Sequence, residues 1–471
     1  MSIVEFIGAS LFFLVAFSAA VAVSVGFGVA MHVENTKRQL ILPLVMPVMG
    51  SGMAASVLFS DRDLKLASLD IAFIGGSTNP WILRAFTVTI LVLCAARIFG
   101  SWVRRESESG APGSAVFLCL GAYFLSSNLL PMAFGTEPQF VHNLLYPIIL
   151  FGAIYAGRRE PLTALVDACK WILSALMIGS LVVAAVKPAL AVQRDYVGWI
   201  PGLSIRLWGV GSNANSIGPL ALVTMLILYW RPWQTRWINY LVATATLMVF
   251  VLAQSKTVWL AAGVVAMVLM RYRAIEAGRR VLSPAMLGLG VASVFSVSAL
   301  FLYADAGGFL TKALSSKAGN QITTFTGRFQ IWQVAFEEWR NNPFFGYGPS
   351  LWNADFRAKI GMSFAFTAHN QFVHTLAAAG TLGFVGLVGY LLAVTTAVFR
   401  VAAQSRGVSV ALYAFILVRC LTETPLLLDG LLGAELLTHL LLFAIALRGA
   451  GLELPALQSE IEHGRLVATR T

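Results

Sequence analysis

Residues 371–399 read QFVHTLAAAGTLGFVGLVGYLLAVTTAVF, a stretch that contains no Asp, Glu, Lys or Arg. An α-helix needs about 20 such residues to cross the hydrocarbon core of a bilayer. The stretch is too long for a barrel strand, which has about ten residues of alternating polarity. Because only helical bundles and closed barrels satisfy all backbone hydrogen bonds in lipid, the sequence predicts a helical membrane protein.

The rest of the chain repeats this pattern. Of its residues, 58% are hydrophobic and 12% are charged, whereas about 25% of the residues of an average soluble domain are charged. We therefore predict an all-α fold, a polytopic integral membrane helical bundle with about 12–14 transmembrane helices and one large loop on the outer face. The other predicted spans are Ile3–Ala30, Leu40–Phe59, Trp81–Phe99, Ser114–Phe134, Phe140–Ala156, Leu162–Val186, Val210–Tyr229, Ile238–Ala253, Val258–Met270, Val281–Tyr303, Val408–Leu421 and Leu431–Leu447.

Lys and Arg in the short loops indicate the orientation, because basic loops are retained in the cytoplasm. They fall on alternate loops, which we assign to the cytoplasmic face together with the tail after Arg448. The net charge of +11 follows from these loops and from contact with anionic membrane lipid, so we expect no nucleic-acid partner. The basic loop residues are Lys37, Arg38, Arg104, Arg105, Arg158, Arg159, Arg231, Arg236, Arg271, Arg273, Arg279, Arg280, Arg400 and Arg406.

The predicted organisation has one large segment outside the membrane, and a loop of this length is commonly functional. Within it, Thr326 is predicted to cap a helix that ends at Asn341. An aromatic stripe, Phe329, Trp332, Phe336 and Trp339, predicts that this helix lies on the surface of the membrane or of the bundle. The four predicted parts are transmembrane helices with short loops at 1–303, the large loop bearing part of the active site at 304–368, C-terminal transmembrane helices at 369–448, and a cytoplasmic tail at 449–471.

The four cysteines, Cys94, Cys119, Cys169 and Cys420, lie in or beside membrane runs and form no CxxC pair. We expect them to be small packing residues, not disulfide partners or metal ligands. His, Cys and carboxylate residues show no metal-ligand spacing, so we predict no metal site.

Four polar side chains are predicted at the outer helix ends or in the large loop: Arg206, Lys256, Arg328 and His369. Ionisable residues in membrane segments are costly unless they face a cavity or a partner. For each cation taken singly, the alternative is that its side chain extends to the membrane interface, and a lone histidine at a helix start is often structural. Their position on one side makes the four together candidate site residues.

Their sequence context resembles the O-antigen ligase and polysaccharide polymerase superfamily. The strongest motif is His369-Asn370, followed after nine residues by Gly380 and then Gly383. The resemblance implies transfer of a glycan from a polyprenyl (undecaprenyl) diphosphate carrier to an acceptor hydroxyl. It also implies a multi-pass protein of the bacterial inner (cytoplasmic) membrane, with the large loop and the active site facing the periplasm. The other segments that carry the resemblance are Arg206–Asn215, Ser255-Lys256-Thr257 and Thr326-Gly327-Arg328.

By this resemblance, Arg206, Lys256 and Arg328 bind the diphosphate and His369 is the catalytic residue. Preplaced cations would stabilise an anionic leaving group, and an imidazole, with a reference pKa of about 6.5, can accept the proton of the acceptor hydroxyl. Lys256 departs from the pattern, because many members carry arginine there and lysine lacks the planar fork that binds phosphate bidentately. A diphosphate is already activated, so we expect no cofactor and a metal-independent, inverting displacement.

Three further residues are candidates for substrate binding, each with a structural alternative. Asn370 would contact the glycan or orient His369, or would instead cap a helix. Asn215 would bind substrate or satisfy buried backbone groups. Tyr347 would line the glycan path or pack under the loop. Gly380 and Gly383 are predicted to permit close contact between helices.

Within the superfamily, we favour a glycosyltransferase that polymerises lipid-linked repeat units into an exopolysaccharide, capsule or O-antigen. The segments Thr326–Arg328, Ile331-Trp332 and Phe345–Gly348 look most like that branch. The close alternative is an O-antigen ligase that transfers the finished glycan to lipid A-core. A transporter of a lipid-linked anion is a lesser alternative, because the motif pattern occurs once and transporters often contain repeats. The implied partners are the lipid-linked donor, a glycan or lipid A-core acceptor, and chain-length regulator or flippase proteins.

Overall fold

The computed structural model describes residues 42–65, 79–103, 113–158, 160–196, 200, 202–278 and 323–448. The predicted spans Ile3–Ala30 and Val281–Tyr303 and the predicted tail 449–471 lie outside these residues. Regular structure in the described residues is helical except for two strands of two residues each, which pair antiparallel. The all-α prediction is confirmed.

Each predicted apolar run inside the described ranges corresponds to a helix. The helices are α1 Leu42–Leu58, α2 Pro80–Val103, α3 Ser114–Phe134, α4 Tyr146–Ala156, α5 Leu162–Val186, α6 Pro188–Ala191, α7 Ala214–Trp230, α8 Arg236–Leu252, α9 Lys256–Glu276, α10 Thr323–Asn341, α11 Ala354–Lys359, α12 Gln371–Arg400, α13 Val408–Cys420 and α14 Ala434–Arg448. The strands are β1 Val192–Gln193 and β2 Arg206–Leu207.

Length and composition identify several of these helices as membrane spans. Within the described residues, five helices are long and apolar enough to cross a membrane, namely α2, α3, α5, α9 and α12, and six shorter apolar helices accompany them. Val385 and Leu392 of α12 stay 61% and 63% exposed, as expected for a helix face that contacts lipid. The protein is therefore a polytopic membrane protein.

The connections predicted for the outer face meet at one end of the bundle. The guanidinium Nε of Arg206 donates a hydrogen bond to the carbonyl of Ala253 at 3.1 Å, which joins the connection before α7 to the connection between α8 and α9. The side-chain amide of Asn370 donates a hydrogen bond to the carbonyl of Leu421 at 3.3 Å, which joins the connection before α12 to the connection after α13. This end of the bundle carries the candidate site.

Helix α10 of the large loop packs against α12, and it ends at the predicted residue, Asn341. Its buried face is formed by Ile331 and Ala335. Two members of the predicted aromatic stripe, Phe329 and Phe336, are instead 59% and 38% exposed. The helix lies on the bundle as predicted. Its buried contact is made by Ile331 and Ala335, however, and not by the whole aromatic stripe.

Helix α12 is interrupted at Gly380, where φ is 65° and ψ is −168°. The loop segment after α10 inserts its backbone at this break. The amide of Thr381 donates to the carbonyl of Pro343 at 2.8 Å, and the amide of Tyr347 donates to the carbonyl of Ala377 at 2.8 Å. The loop therefore uses hydrogen-bonding groups that an unbroken helix would keep for itself.

Two glycines make this approach possible. A Cβ at Gly380 would lie 2.3 Å from the carbonyl carbon of Phe344, and a Cβ at Gly346 would lie 2.6 Å from the carbonyl oxygen of Ala377. Both glycines also have positive φ, which L-residues with a side chain rarely adopt. The predicted role in helix contact suits Gly383, which faces α3, whereas Gly380 accommodates the loop backbone.

We expect Gly380→Ala to destabilise the protein by at least about 2 kcal/mol, because the new methyl group meets backbone atoms and φ is positive. The matched control is Gly389→Ala in the same helix, where a Cβ would meet nothing within 4 Å. Scanning fluorimetry of the detergent-purified variants measures the difference in thermal midpoint. Equal midpoints for the two variants would refute the role assigned to Gly380.

Candidate active site

His369 and Glu423 form the central pair of the candidate site. Nδ1 of His369 lies 3.0 Å from Oε2 of Glu423, and the two side chains are 29% and 14% exposed. Glu423 lies in the connection between α13 and α14, and it is a residue that the sequence analysis missed. With Nδ1 held by a carboxylate, Nε2 is the ring nitrogen left to serve a second partner.

The backbone on both sides of His369 is fixed by hydrogen bonds. Trp332 of α10 donates its indole N–H to the carbonyl of Ala368 at 2.7 Å. On the other side, the side chain of Asn370 accepts hydrogen bonds from the amides of Phe372 and Val373 and so caps α12. His369 itself has a φ of 47°, a strained value for a residue with a side chain, which these neighbours hold in place. Asn370 is thus a helix cap, the structural alternative predicted for it.

Glu423 also contacts two of the residues that the sequence singled out. Its Oε1 accepts a hydrogen bond from the side-chain amide of Asn215 at 3.1 Å, and Nη2 of Arg328 lies 3.9 Å from the same oxygen. Burial raises the pKa of Glu423, but the hydrogen bond from His369 and the electrostatic interactions with His369, Arg328 and Arg419 outweigh this effect, so the pKa lies below its ordinary value. Glu423 is therefore an anion among cations.

Asn215 links this pair to the other predicted cations. Its Oδ1 accepts hydrogen bonds from Nη2 of Arg206 at 2.8 Å and from the hydroxyl of Ser255 at 3.2 Å. Lys256, the next residue, lies close enough to Arg206 for repulsion between the two positive charges. Two neighbouring cations favour an anionic ligand that would relieve this repulsion.

Arg206 is held rigidly within the cluster. Besides its hydrogen bonds, its guanidinium carbon stands 4.8 Å from the ring centroid of Tyr196. Burial lowers the pKa of Arg206, because desolvation penalises the charged form, yet an arginine remains protonated near neutral pH. The side chain is thus a fixed positive charge.

A second arginine anchors the backbone that leads into Asn215. Arg62 is buried and donates hydrogen bonds of 2.7 Å to the carbonyls of Leu190, Gly209 and Gly211. Burial lowers its pKa to about 10, so it stays charged near neutral pH. The sequence analysis did not single out Arg62, and this structural role depends on contacts across more than a hundred residues.

Arg419 is a further residue that the sequence analysis missed. It is 2% exposed in α13, and its Nη2 lies 3.1 Å from the carbonyl oxygen of Asn215 and 3.3 Å from Oε1 of Glu435. The available signal was an ionisable residue inside the apolar run Val408–Leu421, since such residues in membrane segments mark functional sites. The same signal applies to Glu423, two residues beyond that run.

Tyr347 lies apart from the cluster, in the packed interior of the large loop. It is 2% exposed, and its ring meets that of Phe356 edge-on with 4.7 Å between the centroids. Burial raises the pKa of Tyr347, and an interaction with Glu137 adds to this effect. These contacts correspond to the packing alternative predicted for Tyr347.

The low pKa of Glu423 makes the stability of the protein depend on pH in acid. A carboxylate whose pKa is lower in the folded state stabilises the fold above the unfolded-state pKa of about 4.3, and this contribution is lost as the pH falls through the folded-state pKa. We therefore expect the thermal midpoint of the wild type to fall more steeply than that of Glu423→Gln as the pH decreases below about 4.3. Glu337→Gln, which changes an exposed carboxylate of α10, is the control and should follow the wild type. Parallel curves for wild type and Glu423→Gln would contradict the assignment.

Comparison with known proteins gives a match to one family over part of the chain. No curated protein matches this chain. A family model described as O-Antigen ligase matches residues 240–388, a segment that contains Lys256, Arg328 and His369, whereas Glu423 lies beyond it. Over residues 240–388 the match confirms the resemblance to the O-antigen ligase and polysaccharide polymerase superfamily that the motifs indicated.

Proposed function

We propose that this protein transfers a glycan from a polyprenyl diphosphate carrier to an acceptor hydroxyl, with His369 as the general base. The observation that carries the proposal is the 3.0 Å contact between His369 and the partly buried carboxylate of Glu423, beside a cluster of cations. A histidine oriented by a carboxylate is a recurrent arrangement for removing a proton from a hydroxyl. The family match supports a glycan transferase in general.

The proton transfer follows from the tautomer that Glu423 favours. When Nδ1 carries the proton and donates it to the carboxylate, Nε2 of His369 has a free lone pair. Nε2 accepts the proton of the acceptor hydroxyl as the oxygen attacks the anomeric carbon. The bond between that carbon and the phosphate oxygen breaks, and the diphosphate leaves with the electron pair. Glu423 stabilises the imidazolium that is formed.

The cations of the cluster would bind the leaving diphosphate. Arg206 uses two of its N–H groups for Ala253 and Asn215, which fixes the guanidinium plane and leaves other N–H groups for phosphate oxygens. Lys256 adds a compact charge next to it. Fixed cations placed where negative charge develops lower the barrier without reorganisation.

We place this reaction in the bacterial inner membrane, with the site facing the periplasm. In this proposal residues 304–368 form a periplasmic loop that supplies Arg328, between transmembrane portions at 1–303 and 369–448, and residues 449–471 lie in the cytoplasm. The support is the alternation of basic loops, since Arg231 and Arg400 lie at the far ends of α7 and α12 from the candidate site.

Of the two reactions in the superfamily, we propose polymerisation of undecaprenyl diphosphate-linked repeat units into a surface polysaccharide. The likeness of the loop motifs to polymerases supports it. Transfer of the finished glycan to lipid A-core is the second candidate, because the matching family is described as O-Antigen ligase. The two candidates share the donor chemistry and differ in the acceptor.

We expect His369→Ala to abolish glycan transfer in a deletion strain, since loss of a general base costs about 10²–10⁴-fold in rate. The control is His142→Ala, which removes an exposed histidine from another His-Asn pair at a helix start. The measurement is the length profile of surface and carrier-linked glycan, with membrane levels of each variant checked by immunoblot. Accumulated single repeat units would identify a polymerase, and full-length chains without lipid A-core would identify a ligase. A normal profile with His369→Ala would refute the proposal.

We also expect the transferred sugar to invert its anomeric configuration, because a single displacement brings the acceptor in opposite to the leaving diphosphate. NMR of the linkage made by the purified enzyme from a donor of known configuration measures this directly. Retention of configuration would rule out the single inverting displacement.

A further inference from the structure

A cavity lies at the opposite end of the helices from the candidate active site. It has a volume of about 590 Å³ and is formed by the start of α5, the end of α7, the linker after it and the start of α8. Along the axis of α7, which has 17 residues, it is about 24 Å from Asn215. This separation makes it independent of the proposed reaction.

The cavity has an excess of positive charge. Asp167 accepts two hydrogen bonds from the guanidinium of Arg231, at 3.0 and 2.9 Å, and its Oδ1 also lies 3.1 Å from the ammonium of Lys170. One carboxylate thus faces two cations, and all three side chains line the cavity. Because the bidentate pair with Arg231 already neutralises Asp167, Lys170 supplies a surplus charge.

The same cavity contains an unpaired donor. The indole Nε1 of Trp233 is buried and finds no hydrogen-bond acceptor among the described residues. Its ring is fixed by Trp171, which meets it edge-on at 4.5 Å, and by Lys170, whose ammonium stands 4.7 Å from the ring centroid. A buried N–H without an acceptor is costly, and an acceptor supplied by a ligand would remove that cost.

We propose that this cavity binds the phosphate group of an anionic phospholipid headgroup. Phosphate oxygens would accept from Lys170 and from the indole N–H of Trp233 and would balance the surplus charge. A lipid fits better than a soluble anion, because Trp171, which lines the cavity, is 62% exposed on an apolar helix. Tryptophans in this setting lie at the headgroup level of membranes, and basic pockets between helices bind anionic lipid headgroups.

Native mass spectrometry of the purified full-length protein tests the proposal, with phosphatidylglycerol titrated against phosphatidylcholine. We expect one phosphatidylglycerol to bind tightly and Lys170→Gln to weaken this binding about tenfold or more, as for loss of a charge-assisted hydrogen bond. Trp233→Phe keeps an aromatic side chain but removes the N–H, and it should weaken binding severalfold without disturbing the Asp167–Arg231 pair. The matched control is Arg400→Gln, which removes an exposed cation at the same end of the bundle.

Two outcomes would overturn the proposal. If the Lys170 and Trp233 variants bind phosphatidylglycerol as tightly as the Arg400 variant, the cavity is not a headgroup site. If sodium phosphate displaces bound phosphatidylglycerol at equal concentration, the site recognises a free phosphate and the assignment to lipid is wrong. Because Trp233→Phe leaves Lys170 and an aromatic side chain in place, the second variant keeps the test valid if Lys170→Gln does not fold.

Discussion

The carboxylate of Glu423 is the group on which the candidate site depends. It holds His369 by one oxygen and Asn215 by the other, and it faces Arg328. A buried ion is stable only if partners replace its hydration. Here the partners come from three distant segments, so one anion brings the motifs together and fixes the tautomer of the histidine. Its negative charge offsets part of the positive charge of the surrounding cations.

The geometry of His369 also depends on how the large loop joins the bundle. The loop backbone enters the break in α12 at Gly380, and α10 then packs along that helix. Packing in this position allows Trp332 to hold the carbonyl just before His369. The glycines and aromatic residues of the loop motif therefore serve the fold, while in the proposed function the arginine and histidine of the same region carry the chemistry. A motif that unites both functions is strongly constrained as a unit.

The sequence was sufficient to predict most of the helices, because length and apolarity are local properties of each run. It also indicated four polar residues of one cluster, through motifs. It could not indicate which residues Glu423 contacts, because these contacts join residues 54 and 208 positions apart, and no local pattern encodes such pairs. Gly380 shows the same limit of prediction from sequence. The Gly380 and Gly383 pattern predicted a close backbone contact, but whether a helix or a loop makes that contact depends on tertiary structure.

The cluster also explains how a lysine can occupy position 256. Bidentate recognition of a phosphate needs a planar fork held in a fixed orientation, and Arg206 has that property because Ala253, Asn215 and Tyr196 hold its guanidinium. With the orientation supplied there, position 256 needs only to contribute charge, which an ammonium on a flexible stem provides. Lys256, the residue that departs from the family pattern, is thus the cation whose orientation matters least. A lysine at this position is physically consistent with the diphosphate-binding role that the resemblance implies.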